Sequence, residues 1–178
     1  MKKIILFFTA FCLTLMLNAQ TTVTNPIDEM FDKYSKLDGF TIVTISSKMF
    51  SMLANLDTEN KDNDNLMRRL KSIKILAVED SLLNYKVNFY TELSSKFAFP
   101  LYEELMVVKE GKNTTKFLIR QNEEIINELL VITGGPGGNS IISIKGDLTL
   151  KNISDISKNT GIQELKTLDN LEKKKKEE

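Results

Sequence analysis

The chain has no histidine, and its one cysteine, Cys12, lies in a segment expected to be removed on export. The missing imidazole excludes Ser-His-Asp and Cys-His catalysis, histidine-ligated zinc and the usual general base near neutral pH. The missing thiol leaves the exported chain without a disulfide, a sulfur nucleophile or a cysteine metal ligand. Such a domain must be held by its core alone. Neither sign of charge is in excess, because 24 Lys+Arg balance 24 Asp+Glu. That balance gives no electrostatic footprint for nucleic acid. Long apolar runs are scarce as well: past residue 20, none reaches the roughly 20 residues that a spanning helix needs. Glycine is sparse, and four of its eight occurrences fall within Gly134–Gly138, around Pro136.

What is present starts with MKKIILFFTAFCLTLMLNAQ. Lys2 and Lys3 form a charged n-region, Ile4 to Leu17 an apolar h-region, and Asn18-Ala19-Gln20 a small-residue cleavage site, the layout of a secretory signal peptide cut after Ala19. The apolar run is too short for a membrane anchor. Phe11 stands before Cys12 where a lipid-attachment signal needs a small residue. The expected organisation is a signal peptide over 1–19, a single domain over 20–171 and a charged disordered tail over 172–178. Cleavage removes two lysines and leaves a formal charge of −2, with 22 Lys+Arg against 24 Asp+Glu. A chain of this length buries about two-thirds of its unfolded surface.

Periodicity then assigns the elements. NPIDEMFDKYSKLDG (25–39) carries an Asn25 N-cap, Pro26 at the first position and an apolar stripe of Ile27, Met30, Phe31, Tyr34 and Leu37, closed by Gly39. FTIVTIS (40–46) is a strand, KMFSMLANL (48–56) a buried helix, DTENKDNDN (57–65) a polar connection and LMRRL (66–70) a short helix. SIKILAVE (72–79) reads as a central strand, and 82–99 as one helix stopped by Pro100. YEELMVVKE, TKFLIRQ, EIINELLVIT and NSIISIKG are four strands joined by turn signals at EGKN, QNEE and TGGPGGN, which predicts an antiparallel meander. Asp147 or Thr149 caps a helix carrying Leu150, Ile153 and Ile156, and Ile162, Leu165, Leu168 and Leu171 suggest one more amphipathic segment. The fold class is α+β: a largely antiparallel sheet of about five to six strands, covered by helices on one face.

Four stretches carry a resemblance: the NAQ ending of the leader, FDKYSKLDGFTIVTIS, SIKILAVED and IISIKGDLTLKNISDISK. Their order and spacing resemble domain-of-unknown-function family 4252, exported proteins of Bacteroidota. The resemblance spans nearly all of the chain after the leader. It implies export and an α+β fold, and it supplies no activity, cofactor or catalytic residue. An association of such proteins with envelope-stress and sigma-factor genes would fit sensing or envelope maintenance. Asp80-Ser81-Leu82 matches the short acceptor pattern for O-linked glycosylation at Ser81 in that phylum, a three-residue pattern that recurs by chance.

The remaining candidates each fail a chemical requirement. VITGGPGGNSIISIKG (131–146) is no Walker loop: five on from Gly134 is Asn139, five on from Gly135 is Ser140, no lysine follows and the next segment is a strand. A hairpin explains it, with Leu129–Thr133 and Ser140–Lys145 paired antiparallel. The loop Gly134–Asn139 is then exposed between them, holds no anion and tolerates replacement within about 1 kcal/mol. Asp57, Glu59, Asp62 and Asp64 offer oxygen ligands for calcium. The sixth and twelfth places of an EF-hand loop begun at Asp57 hold Asp62 and Arg68 instead of Gly and Glu. Glu103-Glu104 and Glu123-Glu124 are adjacent acids that point to opposite faces of a strand, so only a cross-strand partner would complete a glycosidase pair. No catalytic, cofactor-binding or metal residue is assigned and no cofactor is expected. The expected function is an exported non-catalytic envelope module, monomeric or weakly associating, that binds a protein or envelope component. The alternatives are an apolar-ligand site lined by Met, Phe and Leu, and a hydrolase working through carboxylates or a Ser/Lys pair.

Overall fold

The structure, a computed structural model, describes residues 25–56, 61–96 and 102–159. The leader, the tail and the amphipathic segment at 162–171 lie outside the described residues, as do Asp57 and Glu59.

Helix α1 (Pro26–Tyr34) starts where the sequence places it. The Asn25 side chain accepts from the Ile27 N–H at 2.9 Å, and Ile27, Met30, Phe31 and Tyr34 are buried. It ends at Tyr34, five residues before Gly39, and Leu37 is exposed. Gly39, at φ +84°, serves the turn into strand β1 (Phe40–Ser46) rather than the helix end. Helix α2 (Ser47–Leu56) follows at once, then α3 (Lys61–Arg69) and β2 (Leu70–Val78). Helix α3 therefore begins inside the stretch expected to be a polar connection. Its amphipathic end explains the extension, since Leu66 is buried in the core and Arg69 Nε donates to Asn65 Oδ1 one turn back at 3.1 Å.

The single helix expected over 82–99 is broken. A 3-10 turn spans Leu83–Tyr85, and α4 (Phe89–Lys96) starts afresh. Asn88 is the reason: its side chain accepts from the Thr91 N–H at 2.9 Å, an N-cap in what was read as helix interior. Strands β3 (Glu103–Glu110), β4 (Asn113–Asn122), β5 (Ile125–Gly134) and β6 (Ser140–Leu148) form the expected meander. Helix α5 (Leu150–Asn159) closes the described chain, with Thr149 Oγ1 accepting from the Asn152 N–H while Asn152 Oδ1 accepts from the Thr149 N–H.

All six strands join one antiparallel sheet in the order β1-β2-β6-β5-β4-β3. The α+β class holds; the cover differs from expectation, because helices lie on both faces. Phe117, Ile119, Leu129, Val131, Ile142 and Ile144 point to one side, with Phe50 of α2, Leu66 of α3 and Ile153 and Ile156 of α5. Leu76, Leu118, Leu130, Ile132 and Ile141 point to the other, against Ile27, Met30 and Phe31 of α1 and Phe89 and Leu93 of α4. Runs such as Leu129–Ile132 are apolar on successive residues, so both faces need cover. On the second side Tyr34 Oη donates to Glu92 Oε2 at 2.7 Å and Lys33 Nζ to Glu92 Oε1 at 2.6 Å, tying α1 to α4. Burial, seconded by that carboxylate, raises the Tyr34 phenol above its ordinary value and keeps it a donor.

Two-residue hairpins at Gly111-Lys112 and Glu123-Glu124 connect β3 to β4 and β4 to β5. Glu123 is the one non-glycine residue with positive φ, +56°, among the described residues. A glutamate there works against its own Cβ. Glu123→Gly is expected to raise the unfolding free energy by about 0.5–1 kcal/mol in urea denaturation.

Candidate functional site

Strands β5 and β6 pair from Leu129↔Ile144 to Thr133↔Ser140, the register that the hairpin reading requires. The loop between them was expected to be exposed from Gly134 to Asn139; only Gly137 is, with Pro136 and Gly138 half-buried and Gly134, Gly135 and Asn139 buried. Asn139 is buried; its Oδ1 accepts from the Phe89 N–H at 2.9 Å, and its Nδ2 donates to Asn84 Oδ1 at 3.0 Å and to the Gly135 carbonyl at 2.9 Å. Its own carbonyl accepts from the Val78 N–H at 3.0 Å. Asn113 holds the loop from the other side, with Oδ1 accepting from the Gly137 N–H at 2.8 Å. The glycines are needed for approach: a Cβ on Gly134 would stand 2.6 Å from the Tyr90 nitrogen, and one on Gly135 2.6 Å from the Lys112 carbonyl oxygen. The Gly137 and Gly138 amides are already engaged, the latter with the Gly135 carbonyl, and Pro136 has none. Lys86 and Lys112 stand beside Gly135 and Pro136 in a hollow of about 330 Å³, cations that the sequence around the loop does not announce.

On the α2/α3/α5 side of the sheet, the end nearest this loop carries no helix among the described residues. A cleft of about 460 Å³ opens there, and among the described residues no helix contributes to its lining. Its floor is one register row across five strands, Ala77–Ser140–Thr133–Thr115–Val108. Thr115 Oγ1 and Thr133 Oγ1 lie 3.1 Å apart, and Gly137, Gly138, Asn139, Asn113 and Glu110 complete the wall. One row deeper the same face is Ile75, Ile142, Val131 and Phe117, packed under the helices. The cleft is thus lined by hydroxyls, amides, one carboxylate and the small apolar side chains of Ala77 and Val108, with none of the Met, Phe and Leu of an apolar-ligand site among its described lining residues.

Glu128 lies on the opposite face. A bulge at Asn127 separates Ile126, which faces α5, from Glu128, which faces α1. Its carboxylate is fully buried and receives Ser143 Oγ at 2.6 Å, Tyr102 Oη at 2.8 Å and Arg120 Nη2 at 3.1 Å, with Lys145 Nζ at 3.9 Å. Arg120 and Lys145 are its direct neighbours on β4 and β6. Burial, then the Glu128 carboxylate, push the Tyr102 phenol well above its ordinary value, so it stays a donor. Ser143 and a lysine do meet here, but the serine is closed off in the core, out of reach of a substrate. The group works as a compensated buried charge.

The acids named from the sequence do not converge. Glu103 accepts from Gln121 and Glu104 pairs with Lys116 at 2.7 Å, so neither faces a second acid across the strands. Glu123 and Glu124 form a turn. Asp62 and Asp64 fall in the first turns of α3. No three acidic side chains gather among the described residues. Ser81 is exposed on a turn in which Asp80 Oδ1 accepts from the Leu82 N–H at 2.8 Å.

The two edges of the sheet are unlike. Strand β3 carries Glu103, Glu104, Lys109 and Glu110 and bulges between Glu104 and Met106. Strand β1, FTIVTIS, has no charge and no proline, and it pairs with β2 without a register break. Val43 is exposed on the face that carries α2, whose outer stripe of Met49, Met52 and Leu53 is exposed too; among the described side chains of this helix only Phe50 and Ala54 are buried. The helix expected to be buried is therefore half surface.

These features define an α+β domain with a docked glycine loop, an open hydroxyl cleft and one unguarded edge. The chain belongs to the family described as Domain of unknown function (DUF4252), whose family model matches residues 34–156. That span runs from the end of α1 into α5 and contains the whole sheet. No curated protein and no solved structure matches the chain.

Two substitutions separate packing from site. Asn139→Ala orphans the Phe89 amide and the loop carbonyl, so it is expected to lower stability by about 2–3 kcal/mol in denaturant titration. Glu128→Ala leaves the Ser143 and Tyr102 hydroxyls without their acceptor while Arg120 and Lys145 keep partial access to water, with an expected cost of about 2–3 kcal/mol by the same measurement.

Proposed function

We propose that this chain is an exported, non-catalytic module of the cell envelope in Bacteroidota, and that it holds an envelope protein by adding an extended segment of that partner to β1. The signal-like leader supports export. The observation that carries the binding reading is the unguarded edge. Open strands are normally blunted by charge, proline or bulges, because their unpaired N–H and C=O groups template further pairing. Strand β3 has these guards and β1 has none of them. A partner strand gains main-chain hydrogen bonds along β1, while its apolar side chains meet Val43, Met49, Met52 and Leu53.

Fractionation is expected to find a protein beginning near Gln20 outside the cytoplasm; a Met1-retaining cytoplasmic protein would overturn the reading. Pull-down of the tagged protein from its own envelope, read by mass spectrometry, is expected to yield a partner that is lost from the double variant Val43→Lys/Met52→Lys. Both sites are exposed, so stability should stay within about 1 kcal/mol. A partner retained by that variant contradicts docking at β1, and a concentration-dependent dimer that it abolishes would make the occupant a second copy of the chain.

A further inference from the structure

We propose that the cleft beneath the glycine loop binds a neutral, hydroxyl-rich ligand, a saccharide of one or two rings. The proposal is independent of docking at β1, since β1 contributes nothing to the cleft lining. Size comes first: about 460 Å³ falls in the range of small-ligand sites, about 300–1,000 Å³. Charge then narrows the ligand. Glu110 is the one ionised group among the described lining residues, and no lysine or arginine joins it there, so an anion meets only repulsion. Hydrogen-bonding capacity narrows it further. The Thr115–Thr133 hydroxyl pair keeps a hydrogen to donate and lone pairs to accept with after their mutual 3.1 Å contact. Groups able to play both parts suit ligand hydroxyls, which do the same. Ala77 and Val108 offer apolar wall for the C–H faces of a ring. The lip is preformed, because Asn113 and Asn139 hold Gly137 and Gly135 in place and little ordering remains for the ligand to impose. With one carboxylate and no facing second acid, the cleft binds a glycosidic bond without cleaving it.

The test is an amide chemical-shift titration of the chain from Gln20 to Glu178 with glucose, N-acetylglucosamine, their β-linked disaccharides and inorganic phosphate. Saturable shifts with at least one saccharide are expected at Thr115, Thr133, Gly137 and Gly138, and none with phosphate. Thr115→Val/Thr133→Val removes both hydroxyls at constant shape and should weaken binding by about tenfold or more. Should that variant lose its fold, Gly138→Leu serves: Gly138 lines the cleft and an added Cβ there meets nothing within 4 Å, so a leucine adds bulk at the lip without displacing a neighbour. Loss of the saccharide shifts in either folded variant supports the site. Absent or non-saturable shifts, shifts with phosphate alone, or unchanged binding in Gly138→Leu overturn it.

Discussion

The Asn139 side chain joins parts of the chain that are far apart in sequence. One amide group satisfies the first turn of α4 through Phe89, the 3-10 turn through Asn84 and the loop's own carbonyl at Gly135, while the backbone of the same residue extends the β2–β6 ladder through Val78. The buried Phe89 amide has no helical partner of its own, since it opens α4. Without Asn139 it would be desolvated and unpaired. The glycines follow from this constraint: a loop drawn down onto Asn88, Tyr90, Lys112 and Asn113 leaves no room for side chains at Gly134, Gly135 and Gly137. Gly138, which faces open space, is the one position in the loop that the packing does not dictate.

With the loop fixed, the rest of the surface divides. On one face α1 and α4 close over the sheet, and the charge that cannot be avoided there, Glu128, is enclosed by Ser143, Tyr102, Arg120 and Lys145. On the other face α2, α3 and α5 cover the lower rows only. The top row, with Ser140, Thr133 and Thr115 between Ala77 and Val108, is roofed at its margin by the glycine loop. A fully wrapped sheet would have no cleft, and a loose loop would leave a flat polar surface. The cleft exists because one face is incompletely covered and the loop beside it is docked.

Much of this was legible in the sequence. Element order, six strands, the meander register around Leu129–Thr133 and the caps at Asn25 and Thr149 all follow from local chemistry, because hairpins and caps are set by neighbours in the chain. The family resemblance was legible too, from the order of four stretches. What failed was long-range. Nothing near TGGPGGN says that its asparagine caps a helix fifty residues upstream, so the loop read as exposed. A bulge at Asn127 breaks the period-2 alternation, so Glu128 gave no sign of being the most enclosed acid in the described chain. Thr115, Thr133 and Ser140 are ordinary strand residues until register aligns them in one row. The break before α4 had a local signal, Asn88, that the apolar spacing of Leu83, Val87 and Tyr90 outweighed. Helices on both faces could have been anticipated from the doubly apolar runs in β4 and β5.

That the loop is docked rather than a free hairpin tip is most directly tested by native-state hydrogen exchange of individual amides. The Phe89 N–H, whose bond to Asn139 is buried, is predicted to exchange as slowly as those of Leu130 and Ile142 in the central strands, through global unfolding alone. Exchange of Phe89 near the unprotected rate, with the strand amides still protected, would contradict it.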